Sequence, residues 1–257
     1  DPVSAITLLY LINNNKSLYS FMIFYLIFIL CLILVGKHIY EIHNFNHEGI
    51  IEQLQSANNE LISEKIKERN PLLIHNLGNK NDLFFNLSFN KLIEDNPGHI
   101  IFHNNKYISL KSFQEDEIQQ MNIYKNKDLP SQFQLIKGFD EIYQPFQSQI
   151  HCNKNYFISL FKGNNTIQLT QNKHNLLCIH QIYGESKLYL FNPKHKLDIQ
   201  NKKNDEIKKY GHKINLTPGI VLYIPIEWYY FYETDNESII GEIECDNYFT
   251  VIYNNLR

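Results

Sequence analysis

The chain has 257 residues, 44% of them hydrophobic and 14% aromatic, with a formal net charge of -3 at pH 7. That length holds one good-sized domain plus an appendage. Lysines are scattered rather than clustered, and the charge balance gives no electrostatic case for nucleic acid as a partner, which would need a basic face. The four cysteines, Cys31, Cys152, Cys178 and Cys245, show no CxxC or zinc-type spacing and read as reduced, buried thiols. N-x-S/T sequons begin at Asn15, Asn86, Asn164, Asn215 and Asn236. In an asparagine-rich chain such tripeptides arise by chance, and by themselves they do not establish a secretory location.

Residues 5–12 (AITLLYLI) are apolar but too short to span a bilayer, and Asn13, Asn14, Asn15 and Lys16 interrupt them. Leu18 to Val35 follows, with Ser20 as its only clearly polar side chain. In helical rise that run covers about 27 Å, close to the hydrocarbon thickness. No small-residue cleavage site follows, so the pattern predicts a single transmembrane helix over 17–36 after an N-terminal segment of 1–16. Lys16 and Lys37 flank it almost symmetrically and leave its orientation open. Residues 37–69 read as an amphipathic juxtamembrane helix or stalk. Ile50, Leu54, Ala57 and Leu61 form a stripe along 47–67 that suits packing on the domain or self-association.

The remaining domain, 70–257, begins with a strand at Pro71–His75 and a helix over Leu83–Ile93. A strand is expected at Ile100–Leu110, a helix from Leu110, and another strand at Tyr156–Phe161. Thr166 to Pro193 carries the strongest pattern: two buried apolar strands joined as a pair by a turn at Tyr183-Gly184-Glu185-Ser186. A lysine- and asparagine-rich insertion spans Lys194–Lys213. Pro218 to Trp228 holds a Pro-Gly turn and a short strand, and 220–232 and 238–253 supply closing strands. The fold class expected is mainly β with a helical front end. In the run Trp228-Tyr229-Tyr230-Phe231-Tyr232, neighbours should alternate between core and outer face.

No G-x-S-x-G, Walker or dinucleotide motif occurs. The adjacent acids Asp140-Glu141 and Asp205-Glu206 should point apart, which excludes them as dyads. His174 and His180 would share a strand face about 20 Å apart, too far to chelate one ion. His151 and His212 lie farther off.

Several fragments together resemble the JmjC/cupin-like family of double-stranded β-helix proteins, of the asparaginyl-hydroxylase type. They are Asn70-Pro71-Leu72-Leu73-Ile74, Ile108 to Phe113, Thr166 to Pro193, and Pro218 to Trp228, in family order. The resemblance implies a double-stranded β-helix barrel behind the membrane helix. Active members hold Fe(II) through a His-x-Asp pair and a later His, leaving positions open for 2-oxoglutarate and oxygen. With Asn175 on the family's asparagine, those positions fall on Leu169, Gln171 and Tyr230. A register anchored on Gln181 and Gly184 moves the first two to Gln171 and Lys173. Neither supplies the pair. The family lysine for 2-oxoglutarate falls on Ser186, beside Lys187.

The resemblance therefore implies a membrane-anchored domain that has lost the iron triad, with no cofactor and no catalytic residue, serving binding or assembly. Two alternatives stay open. One is an Fe(II)/2-oxoglutarate hydroxylase with a displaced metal site. The other is a non-catalytic small-molecule pocket using Thr166, Asn175, Lys187 and Tyr230.

Overall fold

The computed structural model describes residues 2–43, 49–56, 58–103, 106–115, 121–146 and 152–256. The chain divides into two compact units, Asp1–Phe45 and Asn46–Arg257. The first is one helix, α1 (Pro2–His43), which runs unbroken through Asn13-Asn14-Asn15. Asparagine is a modest helix former rather than a breaker, so the polar interruption does not end the helix. Its stretch Tyr19–Tyr40 is long and apolar enough to cross a membrane. A signal sequence or the core helix of a soluble protein meets the same length and composition test.

The second unit opens with β1 (Glu52–Leu54), α2 (Asn59–Glu68) and β2 (Leu72–Ile74). The stretch read as one helix over 47–67 is therefore a strand followed by a helix; residues 44–48 and Ala57 lie outside the described residues. β1 pairs in parallel with β2. That pairing uses Leu54 in a sheet, where the expected stripe had placed it on a helix. α2 starts where the Asn58 side chain accepts from the Glu60 and Leu61 amides, and stops at left-handed Arg69. Its buried residues, Ile62 and Ile66, are one turn apart and face the core.

Short helices α3 (Asp82–Phe85) and α4 (Phe89–Asp95) replace the single helix expected over 83–93, because Ser88 caps a new start by accepting from the Lys91 amide. The strand expected at 100–110 is a hairpin, β3 (Ile100–His103) and β4 (Lys106–Ser109), followed by α5 (Leu110–Glu115). Next come β5 (Met121–Asn126), α6 (Asp128–Gln132), α7 (Ile136–Tyr143), β6 (Asn153–Lys162), β7 (Asn165–Thr166) and β8 (Thr170–Gln171). The remainder is β9 (Leu176–Tyr183), β10 (Ser186–Phe191), α8 (Lys196–Ile199), α9 (Asn204–Ile207), β11 (His212–Leu216), β12 (Val221–Ile224), β13 (Tyr229–Thr234), β14 (Ser238–Asp246) and α10 (Tyr248–Leu256). The last helix takes residues expected to continue a strand to 253.

The fold is mixed helix and sheet. A seven-stranded sheet has the order β1-β2-β12-β9-β14-β6-β5, and a smaller one the order β11-β10-β13-β7, with β8 also on β13. Among the described residues no strand of one sheet pairs with a strand of the other, so the backbone does not close a barrel. β9 and β10, expected as a hairpin pair, belong to different sheets. The turn between them is tight: Gly184 has φ +71°, and a Cβ there would collide with the Glu237 carbonyl. Both strands are buried almost throughout, and each finds antiparallel partners in its own sheet.

Period-2 alternation sorts the side chains into three layers. Leu176, Cys178 and Ile182 of β9 and Ile239, Ile243 and Cys245 of β14 meet the helices, including Phe84, Phe139 and Tyr143. Leu177, Ile179, Ile240, Leu188, Leu190, Leu222, Trp228, Tyr230 and Tyr232 fill the space between the sheets. Tyr189, Phe191, Tyr229 and Phe231 face outward beneath Ile199 and Ile207. The aromatic run of β13 thus splits by alternation. Each fully buried side chain of this size contributes roughly 1.5–3 kcal/mol.

Candidate functional site

β14 carries Glu242, Glu244 and Asp246 on the face turned toward the smaller sheet, in steps of two. All three are buried, which is costly for carboxylates without partners. The partners arrive from two other elements. Lys125 comes from β5, the outermost strand beside β6, at the point where its register with β6 shifts. Its backbone is left-handed, φ 47°, a conformation that costs a non-glycine residue about 1–2 kcal/mol. The Lys125 amide donates to Ser159 Oγ at 2.9 Å, which anchors the bulge.

That bulge sends the ammonium inward. Nζ lies 2.7 Å from Glu244 Oε1, 3.1 Å from Glu242 Oε2 and 3.2 Å from the Tyr230 hydroxyl. Phe157 and Tyr230 place their ring centroids 5.6 and 6.0 Å from it, within cation–π range. Burial opposes the charge on Lys125, but Glu242, the phenols of Tyr230 and Tyr124, and Glu244 outweigh it and hold the ammonium protonated far above neutrality. Burial keeps Glu242 above the usual carboxylate range despite Lys125. Its other oxygen accepts from Tyr232 at 3.2 Å.

His174 closes the network from the segment before β9. Its Nε2 lies 3.1 Å from Glu244 Oε2 and its Nδ1 2.9 Å from Asp246 Oδ2. Burial works against the imidazolium, but the bonds to Asp246 and Glu244 prevail and raise its pKa to about 9. For Glu244 burial is the largest influence and pushes upward; His174 and Lys125 together overcome it and pull the carboxyl down to about 2. Asn172 Oδ1 fixes the His174 amide at 2.8 Å, and Asn172 Nδ2 donates to the Ile224 carbonyl.

A cavity of about 230 Å³ opens here, lined by Lys125, Thr170, Gln171, His174, Tyr230 and Glu244 among others. It is smaller than the usual small-molecule pocket of about 300–1,000 Å³.

Of the residues singled out from sequence, Gln171 and Tyr230 line this cavity. Leu169 does not: it packs against the outward cluster of Tyr229 and Phe231. Thr170, one residue on, stands opposite Tyr230 in the β8–β13 ladder, and a one-residue slip moves a side chain to the other face. Lys173 of the second register also borders the cavity. Thr166 and Lys187 both flank Glu233, three residues along β13 from Tyr230 and on the opposite face. Lys187 is paired with Asp235 there. Asn175 does not line the cavity; its backbone N–H donates to Asp246 Oδ1 at 3.2 Å. The structure therefore does not bring Thr166, Asn175, Lys187 and Tyr230 together.

His174 and His180 do not share a face either. His180 lies among the helices, edge-on to Phe84, where burial lowers its pKa to about 3 and keeps it neutral. His212 is exposed on β11, and His151 lies outside the described residues. Asp140 and Glu141 point apart, to Lys154 and Tyr156 on one side and Asn81 on the other.

The donor set does not fit an Fe(II) facial triad. Three donors with free lone pairs would have to converge on one side of one point. Thr170 Oγ1 donates to the Gln168 carbonyl, Gln171 Nε2 donates to Glu227, and both His174 nitrogens face carboxylates. The Tyr230 hydroxyl accepts from an ammonium. Among the described residues no group of three His, Cys, Asp or Glu side chains is arranged to hold a metal. What the arrangement does chemically is neutralise itself. Lys125, Glu242, Glu244 and Asp246 went unnoticed in the sequence, although E-I-E-C-D, an acid at every second position of an apolar strand, was a legible signal. Comparison with known protein families and with curated proteins finds no match to this chain.

Proposed function

We propose that the chain is a membrane-anchored protein whose larger unit is a double-stranded β-helix of the JmjC/cupin type, turned from iron chemistry to binding or assembly. The strand order supports the fold reading. Count β6 as the first strand and β7–β8 as an interrupted second. One sheet then runs sixth, third, eighth, first, and the other fifth, fourth, seventh, second. This is the alternation between two sheets that a jelly-roll winding produces. Support for the anchor is the length and apolar composition of Tyr19–Tyr40 in α1.

One observation carries the functional reading: the ammonium of Lys125 stands between Glu242, Glu244 and Tyr230, beside the strand ends where the family would hold its metal. A fixed organic cation there leaves no open coordination position for a cosubstrate. The full chain in detergent, given Fe(II), ascorbate and 2-oxoglutarate, is expected to release no succinate above a protein-free control. Turnover that scales with protein and disappears in a Lys125→Ala or His174→Ala variant would refute the proposal and favour a displaced-site hydroxylase.

A further inference from the structure

The sequons carry information once each asparagine has a place in the fold. Four lie in the second unit, and all four acceptor asparagines, Asn86, Asn164, Asn215 and Asn236, are exposed. Asn70, Asn81, Asn165, Asn172 and Asn192 are buried, and none of them begins a sequon. The contrast is sharpest at one dipeptide. Asn165 is buried and donates to the Lys162 and Gly163 carbonyls, whereas its neighbour Asn164, the one that begins Asn-Asn-Thr, points out of the turn.

Each acceptor is exposed at the surface; Asn86 Nδ2 also donates to the Asp82 carbonyl at 3.2 Å, a bond that the one N–H left after transfer can keep. Asn86 ends α3, Asn164 occupies the β6–β7 turn, and Asn236 lies in the β13–β14 turn. Asn215 is on β11, the terminal strand of the smaller sheet, with its neighbours Ile214 and Leu216 turned inward. An exposed edge strand is a template for unwanted pairing, and a glycan on it would block that approach. Asn215 and Asn236 also border a groove of about 830 Å³ at the end of the sheets far from Lys125.

We propose that the second unit lies on the luminal or extracytoplasmic side of its membrane and carries N-linked glycans at Asn86, Asn164, Asn215 and Asn236. In the transfer, the carboxamide nitrogen attacks the anomeric carbon of a lipid-pyrophosphate-linked oligosaccharide. The N–C bond forms, the C–O bond to the pyrophosphate breaks, the amide loses one proton, and no electrons change hands. Sugars at Asn215 and Asn236 would cover the groove between them. The topology rests on the anchored reading above, and the fifth sequon makes it readable: Asn15 lies on the opposite flank of the apolar stretch.

The test is translation of the full chain in the presence of microsomes, followed by gel mobility with and without peptide N-glycosidase. Asparagine is exchanged for glutamine, because Ser88 caps a helix and Ser238 is buried against Gln181. The expected result is a glycosidase-sensitive mass increase that falls stepwise with Asn86→Gln, Asn164→Gln, Asn215→Gln and Asn236→Gln, and vanishes in the fourfold variant. An unmodified chain overturns the proposal, as does a mass increase removed by Asn15→Gln alone. Alkaline extraction of the same membranes separates the two claims: a glycosylated chain that washes out leaves the glycan sites standing and removes the anchor.

Discussion

The space between the two sheets has two polar ends, built from different chemistry. At one, Lys125, Glu242, Glu244, His174 and Asp246 make a chain of charges. At the other, β9 and β10 are joined by neutral groups. Ser186 Oγ donates to Gln181 Oε1 at 2.6 Å, and Gln181 Nε2 donates to Ser238 Oγ and to the Tyr183 carbonyl, each at 2.7 Å. Aliphatic side chains such as Ile179, Leu188 and Leu222 separate them. The neutral end satisfies its buried polar atoms by hydrogen bonds, whereas Glu242 Oε2 at the charged end has only the Lys125 ammonium, an ion pair at 3.1 Å, so only the charged end should change with pH or fail badly when a single member is removed.

The largest effect is expected from Lys125→Ala. It strands two buried carboxylates and should cost about 3–5 kcal/mol at pH 7, read by denaturant unfolding. The deficit should narrow as the pH is lowered, because Glu242 and Glu244 can then neutralise by taking protons. Gln181→Ala breaks the other end. It removes the acceptor of Ser186 Oγ, while Ser238 Oγ keeps the Tyr183 carbonyl at 3.2 Å; the cost should be about 1–3 kcal/mol and flat between pH 5 and 9. A pH-dependent loss at Gln181, or a flat one at Lys125, would erase the distinction between the ends.

His174→Gln sharpens the comparison. The folded-state pKa of His174 is raised to about 9, so its stabilisation is complete below the unfolded value of 6.5 and is lost as pH rises through 9. Glu244 has the opposite sign: depressed to about 2, it stabilises above 4.5, and that contribution is lost as pH falls through 2. Wild-type stability should therefore decline between pH 6.5 and 9, and the variant should not follow it. Partial exposure of His174 limits the difference to about 1–2 kcal/mol. The smallest effect belongs to Lys187→Ala, an exposed pair with Asp235 on the outer face, which should leave the unfolding midpoint and the inner network unchanged within error.

The contrast also explains what could be read from sequence. Apolar strands announce themselves by composition, and the cores of β6, β9, β10, β12 and β13 fall where the pattern put them. What composition cannot carry is partner choice. Leu176 to Phe191 reads as a hairpin, because two apolar strands around a Gly turn look the same whether they pair or pass to separate sheets. The stripe Ile50, Leu54, Leu61 fits a helix by spacing, yet the parallel partner at Leu72–Ile74 draws Glu52–Leu54 into a strand. At the site, the assumed register put Leu169 inside, where the β8–β13 pairing puts Thr170. Lys125 was invisible for a further reason: it reaches the interior only through a bulge and a left-handed backbone, which a residue string does not display.

The claim on which the functional account stands is that a resident ammonium leaves no room for a metal. Calorimetric titration of the full chain in detergent with Mn(II), a redox-stable stand-in for Fe(II), together with 2-oxoglutarate, tests it most directly. The account predicts no saturable binding up to millimolar metal. One equivalent bound at micromolar affinity, with 2-oxoglutarate tightening it, would contradict the account.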